Sequence, residues 1–325
     1  MALGSGLAAQ FGFVSETTYG TAVTVTKFVP LVSESIVEAI PRIESAGIIA
    51  GKRVLHSDQW DPGIPAIAGD VGLELYQQGV GTLFRHMFGS VTSSTTGGVG
   101  THTFSPGDLT GQSMTVQVGR PQTNGVVTPF TYAGVKVASW EIGIVPGENV
   151  TLGLSVVAKT STTGTALATA TYLTGGARPF RPQGQGAAGV SISGASACVR
   201  ALTINGDNGL DTERRCVGQN SIDEPLEASP RSYGGTATIE FSSTAQYQRF
   251  AQGGEYPITF SILATSTAAI SVSMNARFDG TTPGVSGPGL VLVDYPFKCV
   301  ATSLTNDATA ISMTLINAQT TGQIA

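Results

Sequence analysis

Side chains able to do chemistry are scarce in this chain and stand apart from one another. The three histidines are His56, His86 and His102, and none has the H-x-x-x-H or H-E-x-x-H spacing with which a helix presents two histidines to one metal ion. The chain also lacks the G-x-S-x-G turn of a nucleophilic serine and the G-x-x-x-x-G-K-[ST] loop that cradles phosphates. His86 lies opposite the apolar stripe of a predicted helix, which favours a surface position. With no nucleophile–base pair, the sequence argues against an enzyme.

Two acidic stretches could in principle bind a metal ion or cleave a glycoside. Asn205–Asp211 offers spaced oxygen ligands but lacks the glutamate at the twelfth position of a calcium loop, so we interpret it as a turn. Asp58 and Asp61 flank Trp60 and could form a carboxylate pair, although the nearby proline and glycine favour a contact loop. We predict no catalytic residue, no metal ion and no other cofactor.

The cysteines and the apolar runs indicate the cellular compartment in which the chain folds. Cys198, Cys216 and Cys299 are odd in number and widely spaced, so neither a disulfide framework nor a zinc site is predicted, and folding in the cytosol fits better than secretion. Residues 1–13 lack the basic and apolar regions of a signal peptide. No run of about 18 apolar residues occurs, so we expect no membrane span.

The composition indicates a β-rich chain whose surface is covered by partners. Only 12 % of the 325 residues are charged, whereas roughly 25 % is usual for a soluble protein. Glycine is abundant, at 42 residues. The net charge of −5 excludes a basic grip on nucleic acid, which needs clustered lysine and arginine to neutralise phosphates. DNA that met this protein would slide past it.

Alternating and β-branched segments predict a mainly β fold. Val135–Val145 and Val150–Lys159 have the composition of strands, and the turn residues Pro146–Asn149 between them predict a hairpin. Further strands are predicted near the C-terminus over residues 256–264, 269–278, 289–295 and 308–318.

Helical signals are confined to two segments that expose an internal repeat. Gln77–Phe88 carries an apolar stripe at helical spacing, and Ser243–Gly253 is the second predicted helix. Each follows an alternating strand, and Glu74 matches Glu240 at an offset of 166 residues. A duplication and the chance recurrence of a common strand–helix order are both compatible with this pattern.

The chain is predicted to be one elaborated domain over residues 1–325. Repeat-like halves extend over about 28–90 and 197–255, and they need each other to cover their apolar faces. Stretches at about 90–130 and 160–195 are predicted as inserted loops, because Ser90–Gly100 and Thr160–Gly189 are rich in small and polar residues without sustained periodicity.

Several segments, in order along most of the chain, resemble the tail tube proteins of long-tailed (siphovirus-type) bacteriophages, especially those that infect actinobacteria. The segments that carry this resemblance are Phe11–Val23 with its E-x-x-Y-G-T stretch, Glu34–Val54, Gly69–Gly89, Gly134–Glu141, Ala201–Gly254 and Val293–Phe297. No single motif is sharp, and residues 90–130 and 160–195 are not matched.

The resemblance implies a structural virion protein. It implies a tail-tube-type β-sandwich or barrel with one or two short flanking helices, internally duplicated, whose subunits form hexameric rings and close a β-barrel around a lumen. Stacked rings would form the tube through which genomic DNA passes into the host. The implied partners are other copies of the chain, a tape measure protein in the lumen, and tail terminator and distal tail proteins at the ends. Assembly would take place in the host cytoplasm.

Two groups of residues are candidates for roles in such a tube. Acidic residues on or beside the repeat-related strands would line the lumen and repel DNA, unless they are ordinary solvated residues of the outer surface. These candidates are Glu34, Glu38, Asp70, Glu74 and Glu240. The resemblance implies that the loop at residues 51–60 bridges neighbouring rings. Its contact candidates are Gly51, Lys52, Arg53, Asp58 and Trp60.

Two other classes of protein share the composition. Another virion structural protein, such as a distal tail or head-decoration protein, would form a single ring or isolated cluster rather than a tube. A surface adhesin or carbohydrate-binding module would carry a secretion signal and an exposed aromatic platform, and neither is evident in the sequence.

Overall fold

Antiparallel strands make up most of the regular structure. The computed structural model describes residues 4–174, 178–183, 187–285, 287–320 and 324. In the N-terminal half the strands are β1 Gln10–Ser15, β2 Lys27–Val29, β3 Ser33–Glu34, β4 Val37–Ala39, β5 Arg42–Glu44, β6 Trp60–Pro62, β7 Ala66–Glu74, β8 Gly89–Thr96, β9 Val99–Pro106, β10 Met114–Pro121, β11 Val127–Ile144, β12 Thr151–Ala158 and β13 Thr160–Thr162. In the C-terminal half they are β14 Ala187–Ile192, β15 Ala195–Ala197, β16 Val199–Asp207, β17 Ser232–Glu240, β18 Glu255–Thr265, β19 Ala268–Phe278, β20 Leu292–Cys299 and β21 Ile311–Asn317. The helices are α1 Gly81–Phe88 and α2 Ala245–Gln252.

Hydrogen bonds join 19 of these strands, while β5 and β6 form a separate two-stranded sheet. The largest layer, which we call the wall sheet, is the antiparallel run β7–β12–β11–β16–β17–β20. A backing sheet runs β8–β9–β21–β19–β18. A flanking sheet runs β2–β1–β10–β11–β13. Strand β11 belongs to two layers, because its first half pairs in the flanking sheet and residues 136–144 pair in the wall sheet.

One apolar core joins the wall sheet, the backing sheet and α1. Alternate residues of each wall strand point into this core, as a sheet with one buried face requires. The ring centroid of Trp140, on β11, lies 5.1 Å from that of Phe88 and 6.1 Å from that of Tyr233. The helix therefore packs against the inner face of the wall sheet, and the outer face of the wall sheet stays free for contacts with solvent or partners.

The hairpin predicted around Pro146–Asn149 is confirmed. Strand β11 ends at Ile144 and β12 begins at Thr151, with Trp140 opposite Leu154. Strand β11 is longer than predicted, since it already begins at Val127 in the other sheet. The four predicted C-terminal strands correspond to β18, β19, β20 and β21, with ends shifted by at most four residues.

Helix α1 begins four residues later than the sequence predicts. The backbone N–H of Gln77 donates to the carbonyl of Arg178, and that of Gly79 donates to the side chain of Gln319. Gly79 also has a φ of +88°, which a helix excludes. Long-range hydrogen bonds therefore hold this stretch extended until Gly81.

The predicted loop at Ser90–Gly100 is wrong. These residues form most of the hairpin β8–β9, in which Gly97 and Gly98 make the turn with φ values of +59° and +79°. Among the described strands, β8 pairs only with β9, and it is largely exposed, so its serines and threonines show no apolar alternation. The paired glycines were the available hairpin signal. Farther on, β10 also lies within the stretch expected to be inserted loop.

The second predicted loop has little regular structure. Between β13 and β14, the described residues 163–174 and 178–183 form no helix or strand beyond a bridge between Pro179 and Tyr76. Whether either stretch is an insertion remains a prediction.

A buried carboxylate lies where β11 passes from one sheet to the other. Glu16, which is 7 % exposed, accepts hydrogen bonds from the backbone N–H of Gly20 and of Gly134, at 2.8 and 2.9 Å. The hydroxyls of Ser113 and Thr115 donate to it at 2.6 and 2.8 Å. One side chain thus joins the β1 loop, β10 and β11.

Replacing this carboxylate should destabilise the fold. We expect Glu16→Gln to lower the free energy of unfolding by about 2–4 kcal/mol, because an amide nitrogen would face buried donors. Urea unfolding of the purified protein measures the change. The control Glu148→Gln, in the exposed turn after β11, should change it by less than about 0.5 kcal/mol. Equal effects of the two substitutions would contradict this role.

The histidine predicted to lie on the surface is buried. His86 is 3 % exposed, because α1 is covered on this side by the β1 region, where Ser15 Oγ lies 3.1 Å from His86 Nε2. Nδ1 has no hydrogen-bond partner within the described residues. Burial, followed by the charges of Arg85, Lys27 and Lys136, lowers the pKa of His86 to about 3.

This histidine should make the protein less stable in acid. The unfolded chain protonates it below pH ~6.5, whereas the folded chain keeps it neutral. Each pH unit from about 6.5 down towards 3 therefore removes about 1.4 kcal/mol of stability. Relative to His86→Leu, the wild type should lose about 2 kcal/mol more between pH 6.5 and 5, as measured by denaturant unfolding. The exposed His56→Gln control should keep the wild-type slope, and an unchanged slope in His86→Leu would refute the assignment.

Candidate functional site

The outer face of the wall sheet presents small and polar residues in rows that cross the strands. Residues directly opposite one another in an antiparallel ladder share a face, so the ladder registers define each row. The first row is Asp70, Ser155, Ser139, Asp207 and Ser232. The second is Gly72, Gly153, Glu141, Asn205, Gly234 and Lys298, and the third is Glu74, Thr151, Gly143, Thr203, Thr236 and Pro296. No large apolar side chain occurs in these three rows.

The face is concave, and its charged residues are mostly acidic. A depression of about 690 Å³ lies over β7, β12, β11 and β16, and Asp70, Glu141 and Asp207 line it. Lys298 is the one cation of the three rows. Such a surface can exclude a polyanion, because its carboxylates and its low lysine and arginine content give it a negative potential.

The structure puts three of the five predicted lumen residues on this outer face. Asp70 and Glu74 lie on the outer face of β7, and Glu240 lies on the outer face at the end of β17. Glu74 accepts a hydrogen bond from Asn149 at 2.5 Å, and Glu240 forms an ion pair with Arg200. Asp70 keeps its carboxylate exposed.

Glu34 and Glu38 are separated from this group. Glu34 is opposite Val71 and Glu38 is opposite Ile67, and both partners point into the core. The two glutamates therefore share the inner side of the sheet, at its β3–β4 edge. Sequence reasoning missed this because alternation on β7 does not define the register of β3 and β4.

Two residues of the concave face were not found from the sequence. Glu141 alternates with the buried Trp140 and Ile142, a signal that was present in the predicted hairpin. Asp207 ends β16 in the stretch interpreted as a turn. The turn interpretation is wrong for Asn205–Asp207, which end β16. Just beyond the strand, the Asp207 carboxylate accepts the N–H of Gly209 at 2.7 Å. Only the pairing of Asp207 with Ser139 and Ser232 places it on this face.

An ion pair fastens the β3–β4 edge to the flanking sheet. Arg120 Nε and Nη2 donate to the two Glu34 carboxylate oxygens at 2.9 and 2.7 Å. Arg120 also donates to the carbonyl of Ile36 at 2.6 Å, and the Tyr132 hydroxyl donates to the same carbonyl at 3.1 Å. The Arg120 guanidinium lies 4.5 Å from the centre of the Phe130 ring. The chain is thus held firmly just before it leaves the sheet.

Residues 40–65, which we call the arm, connect β4 to β7 as a hairpin. Strands β5 and β6 pair within it, and the carbonyl of Gly47 accepts the side-chain amide of Gln59 at 2.7 Å. The predicted contact residues Gly51, Lys52, Arg53 and Asp58 lie between β5 and β6, and Trp60 begins β6. The structure therefore groups all five on one projecting element.

The arm exposes apolar side chains and carries a basic tip. Every residue from 37 to 58 is exposed, including large apolar residues that soluble surfaces usually avoid in clusters. Ile48 is 97 % and Val54 is 79 % exposed. Lys52 and Arg53 are the only charged residues between Glu44 and His56. Such an element is suited to insertion into another surface.

No metal centre forms in the described part of the chain. Its histidine, cysteine, aspartate and glutamate side chains make no cluster of three that could hold a metal ion. Asp58 and Asp61 lie on the arm, and Asp58 is paired with His56 at 3.4 Å. No helix in the described residues is long and apolar enough to span a bilayer.

Comparison with known proteins agrees with this architecture. The family model described as phage tail tube protein matches residues 6–299, which is most of the chain. No curated protein matches the chain. Since the match covers the wall and flanking sheets, the concave face and the arm, the chain belongs to the phage tail tube protein family and is a structural protein of the tail, not an enzyme.

Proposed function

We propose that this protein assembles as stacked hexameric rings, that the wall sheets of the six copies form one barrel, and that phage DNA passes through its lumen. The observation that carries the proposal is the concave outer face, with its three rows of small, polar and acidic residues across five or six strands. Such a face needs no apolar partner. It supports a wall that meets water and DNA on one side and the core on the other.

Ring closure follows from the two edges of the wall sheet. At one edge, the short strands β3 and β4 are the only described strands that cover β7. At the other edge, residues 292–296 of β20 pair with β17 but with no other described strand. An unpaired strand edge is a template for another strand. Joining the first edge of one copy to the second edge of the next is a heterologous contact, which closes into a ring when the rotation permits.

The acidic lumen would let the duplex move without sticking. Nonspecific DNA binding depends on lysine and arginine that replace counterions on phosphates. The depression in the wall sheet offers Asp70, Glu141 and Asp207 instead. Glu74 and Glu240 extend the acidic face, while Glu34 is engaged by Arg120 on the other side.

The arm would carry contacts between neighbouring rings. It leaves the wall sheet at the start of β7, so it lies at one end of the strands, where the next ring would stack. Asp58 and Trp60 near its base, and Gly51 to Arg53 at its tip, are the contact residues that we propose. Exposed isoleucine and valine side chains on the arm would be covered in the tube.

The two halves of the chain would be a duplication that gives the ring quasi-twelvefold character. Strand β7 covers 66–74 and β17 covers 232–240, so their bounds differ by 166 at both ends. Each is followed by an eight-residue helix and then by a hairpin beginning at Gly89 or Glu255. The continuous core supports one domain rather than two.

The ends and the interior of the tube would meet other tail proteins. A tape measure protein would occupy the lumen before DNA does, and tail terminator and distal tail proteins would cap the ends. A siphovirus of actinobacteria is the source that the sequence resemblance suggests, with assembly in the host cytoplasm.

Electron microscopy of the purified protein over a concentration series tests the assembly. We expect hollow tubes, or sixfold rings with an axial hole. A cryo-electron microscopy map should place Asp70, Glu141 and Asp207 on the axial channel. A discrete ring of another symmetry, or a map with these side chains on the outer wall, would contradict the proposal.

Charge reversal gives an independent check of the same face. Tubes of Glu141→Lys/Asp207→Lys should retain a short DNA duplex at low salt in a form that nuclease does not digest, because the lumen would then hold cations. Tubes of the control Glu148→Lys, in the exposed turn, should leave all bound DNA open to digestion. Protection in the control, or none in the double variant, would count against a lumen at this face.

The Arg120 clamp should govern how the arm is presented. In Arg120→Gln we expect amide hydrogen exchange of residues 34–38 to accelerate at least tenfold, since the chain there loses its anchor. Tube formation should fall while the core stays folded. Arg120→Lys, which cannot donate in the same forked geometry, should be intermediate. Arg277→Gln breaks a similar pair with Asp279 away from the arm, and it should leave exchange in residues 34–38 unchanged. Equal exchange in both variants would exclude the clamp.

A further inference from the structure

A second depression, which we call the groove, lies at one end of the wall and backing sheets. Its shape is set by hydrogen bonds within the subunit. It has a volume of about 790 Å³ and is lined by the loop after β9, the segment before β17 and the loop between β20 and β21. Arg231 donates to the carbonyls of Phe88, at 2.7 Å, and of Gly107. Lys136, which is 3 % exposed, donates to Leu109 O at 2.9 Å and pairs with Glu224 at 2.5 Å. These bonds fix the walls of the groove.

The groove combines apolar surface with uncompensated negative charge. Leu226 and Pro230 line one wall. Asp108, Glu227 and Asp307 add three carboxylates, of which Glu227 is paired with Arg231. Asp108 and Asp307 are exposed and form no ion pair within the described residues. Two negative charges are therefore left at an apolar groove.

The tip of the arm has the complementary character. Lys52 and Arg53 are exposed, and the described residues offer their side chains no partner. Ile48 and Val54, among the most exposed apolar side chains of the arm, lie within four residues of these cations. Two positive charges next to apolar side chains thus match two negative charges next to apolar walls.

Strand directions place the arm and the groove at the same end of the wall sheet. The arm runs directly into the start of β7, whose Ala68 is opposite Val157 of β12. By the registers of the antiparallel ladders, Ser232, at the start of β17, and Lys298, near the end of β20, lie at this same end of the wall sheet. Arg231 and Cys299, which line the groove, are the adjacent residues in the chain. The arm lies at the β7 edge and the groove lies near the β20 edge.

We infer that the arm tip of one copy docks into this groove of the next copy around the ring. The inference rests on the ring proposed above, in which the β7 edge of one copy adjoins the β20 edge of its neighbour. A hairpin arm of about 12 residues per side can reach roughly 30 Å or more, which exceeds the distance across two or three strands. Seated there, the arm would lie on the end face of the ring. For Lys52 and Arg53 the contact with the neighbour in the same ring would take the place of the contact between rings proposed above, while Gly51, Asp58 and Trp60 would still meet the next ring.

Paired charge reversal tests the docking. Lys52→Glu/Arg53→Glu and Asp108→Lys/Asp307→Lys should each raise the protein concentration needed for tube formation roughly tenfold or more, because like charges would meet. The variant with all four substitutions should recover most of the loss. Glu148→Lys, an equally exposed reversal at the other end of the sheet, should have little effect. Failure of the fourfold variant to recover assembly would overturn the pairing.

Cysteine cross-linking identifies which copy is reached. In a background with Cys198, Cys216 and Cys299 replaced by serine, Arg53→Cys/Asp307→Cys should form disulfides on oxidation of assembled tubes. Contacts around the ring predict a ladder on a denaturing gel that stops at the number of subunits in one ring. The matched control Arg53→Cys/Glu148→Cys should give no such ladder.

Other patterns separate failure of this inference from failure of the proposed function. A ladder that continues beyond one ring would mean that the arm reaches a groove in another ring. A cross-linked monomer would mean that the arm folds onto its own groove. Tubes without any cross-link would also refute the docking while leaving the tube intact, whereas protein that forms neither rings nor tubes would refute the proposed function and the docking together.

Discussion

The fold depends on a single strand that serves two sheets, and on the carboxylate that holds it at the crossing. Strand β11 leaves the flanking sheet at Gly134, whose φ of +69° suits glycine because a side chain there would be strained. Glu16 accepts the N–H of this glycine at 2.9 Å. Because the same carboxylate also binds the β1 loop and β10, the flanking sheet cannot shift without moving the wall sheet. The E-x-x-Y-G-T stretch at the N-terminus thus has a physical role, since its glutamate and its Gly20 bond to each other.

The wall sheet meets two opposite demands with one repeating pattern. Its inner residues pack against α1 and the backing sheet, and its outer residues are small, polar or acidic. Glycines in the outer rows put no side chain on this face. At some of them a side chain would also clash: a Cβ on Gly234 would lie 2.5 Å from the Phe297 carbonyl oxygen. A larger residue at such a point would push strands apart, so close packing and a smooth outer face are linked in this sheet.

The exposed apolar side chains of the arm and the low charge content of the chain have one explanation, which is that partner subunits cover the surface. The arm's exposed isoleucine and valine side chains would favour association in a monomer, and only a few charged residues limit this. In an assembled tube the same side chains would be covered, and the hydrophobic effect would favour assembly. The Arg120–Glu34 pair sets the direction in which the arm leaves the sheet, because it fixes the chain at the base of the arm. Rigid fixing at the base reduces the conformational entropy that docking must overcome.

Local patterns in the sequence determined the mainly β fold, the central hairpin, the two helices and the acidic outer faces of β7 and β17. These follow from alternation and turn chemistry, which act between neighbours in the chain. Tertiary structure alone decided that His86 is buried and that Glu34 and Glu38 lie away from Asp70. It also decided that Asp70, Glu141 and Asp207, which are far apart in sequence, share one depression. The physical reason is strand register: a shift of one residue turns every side chain to the other face, and register is set by long-range packing that no local pattern contains.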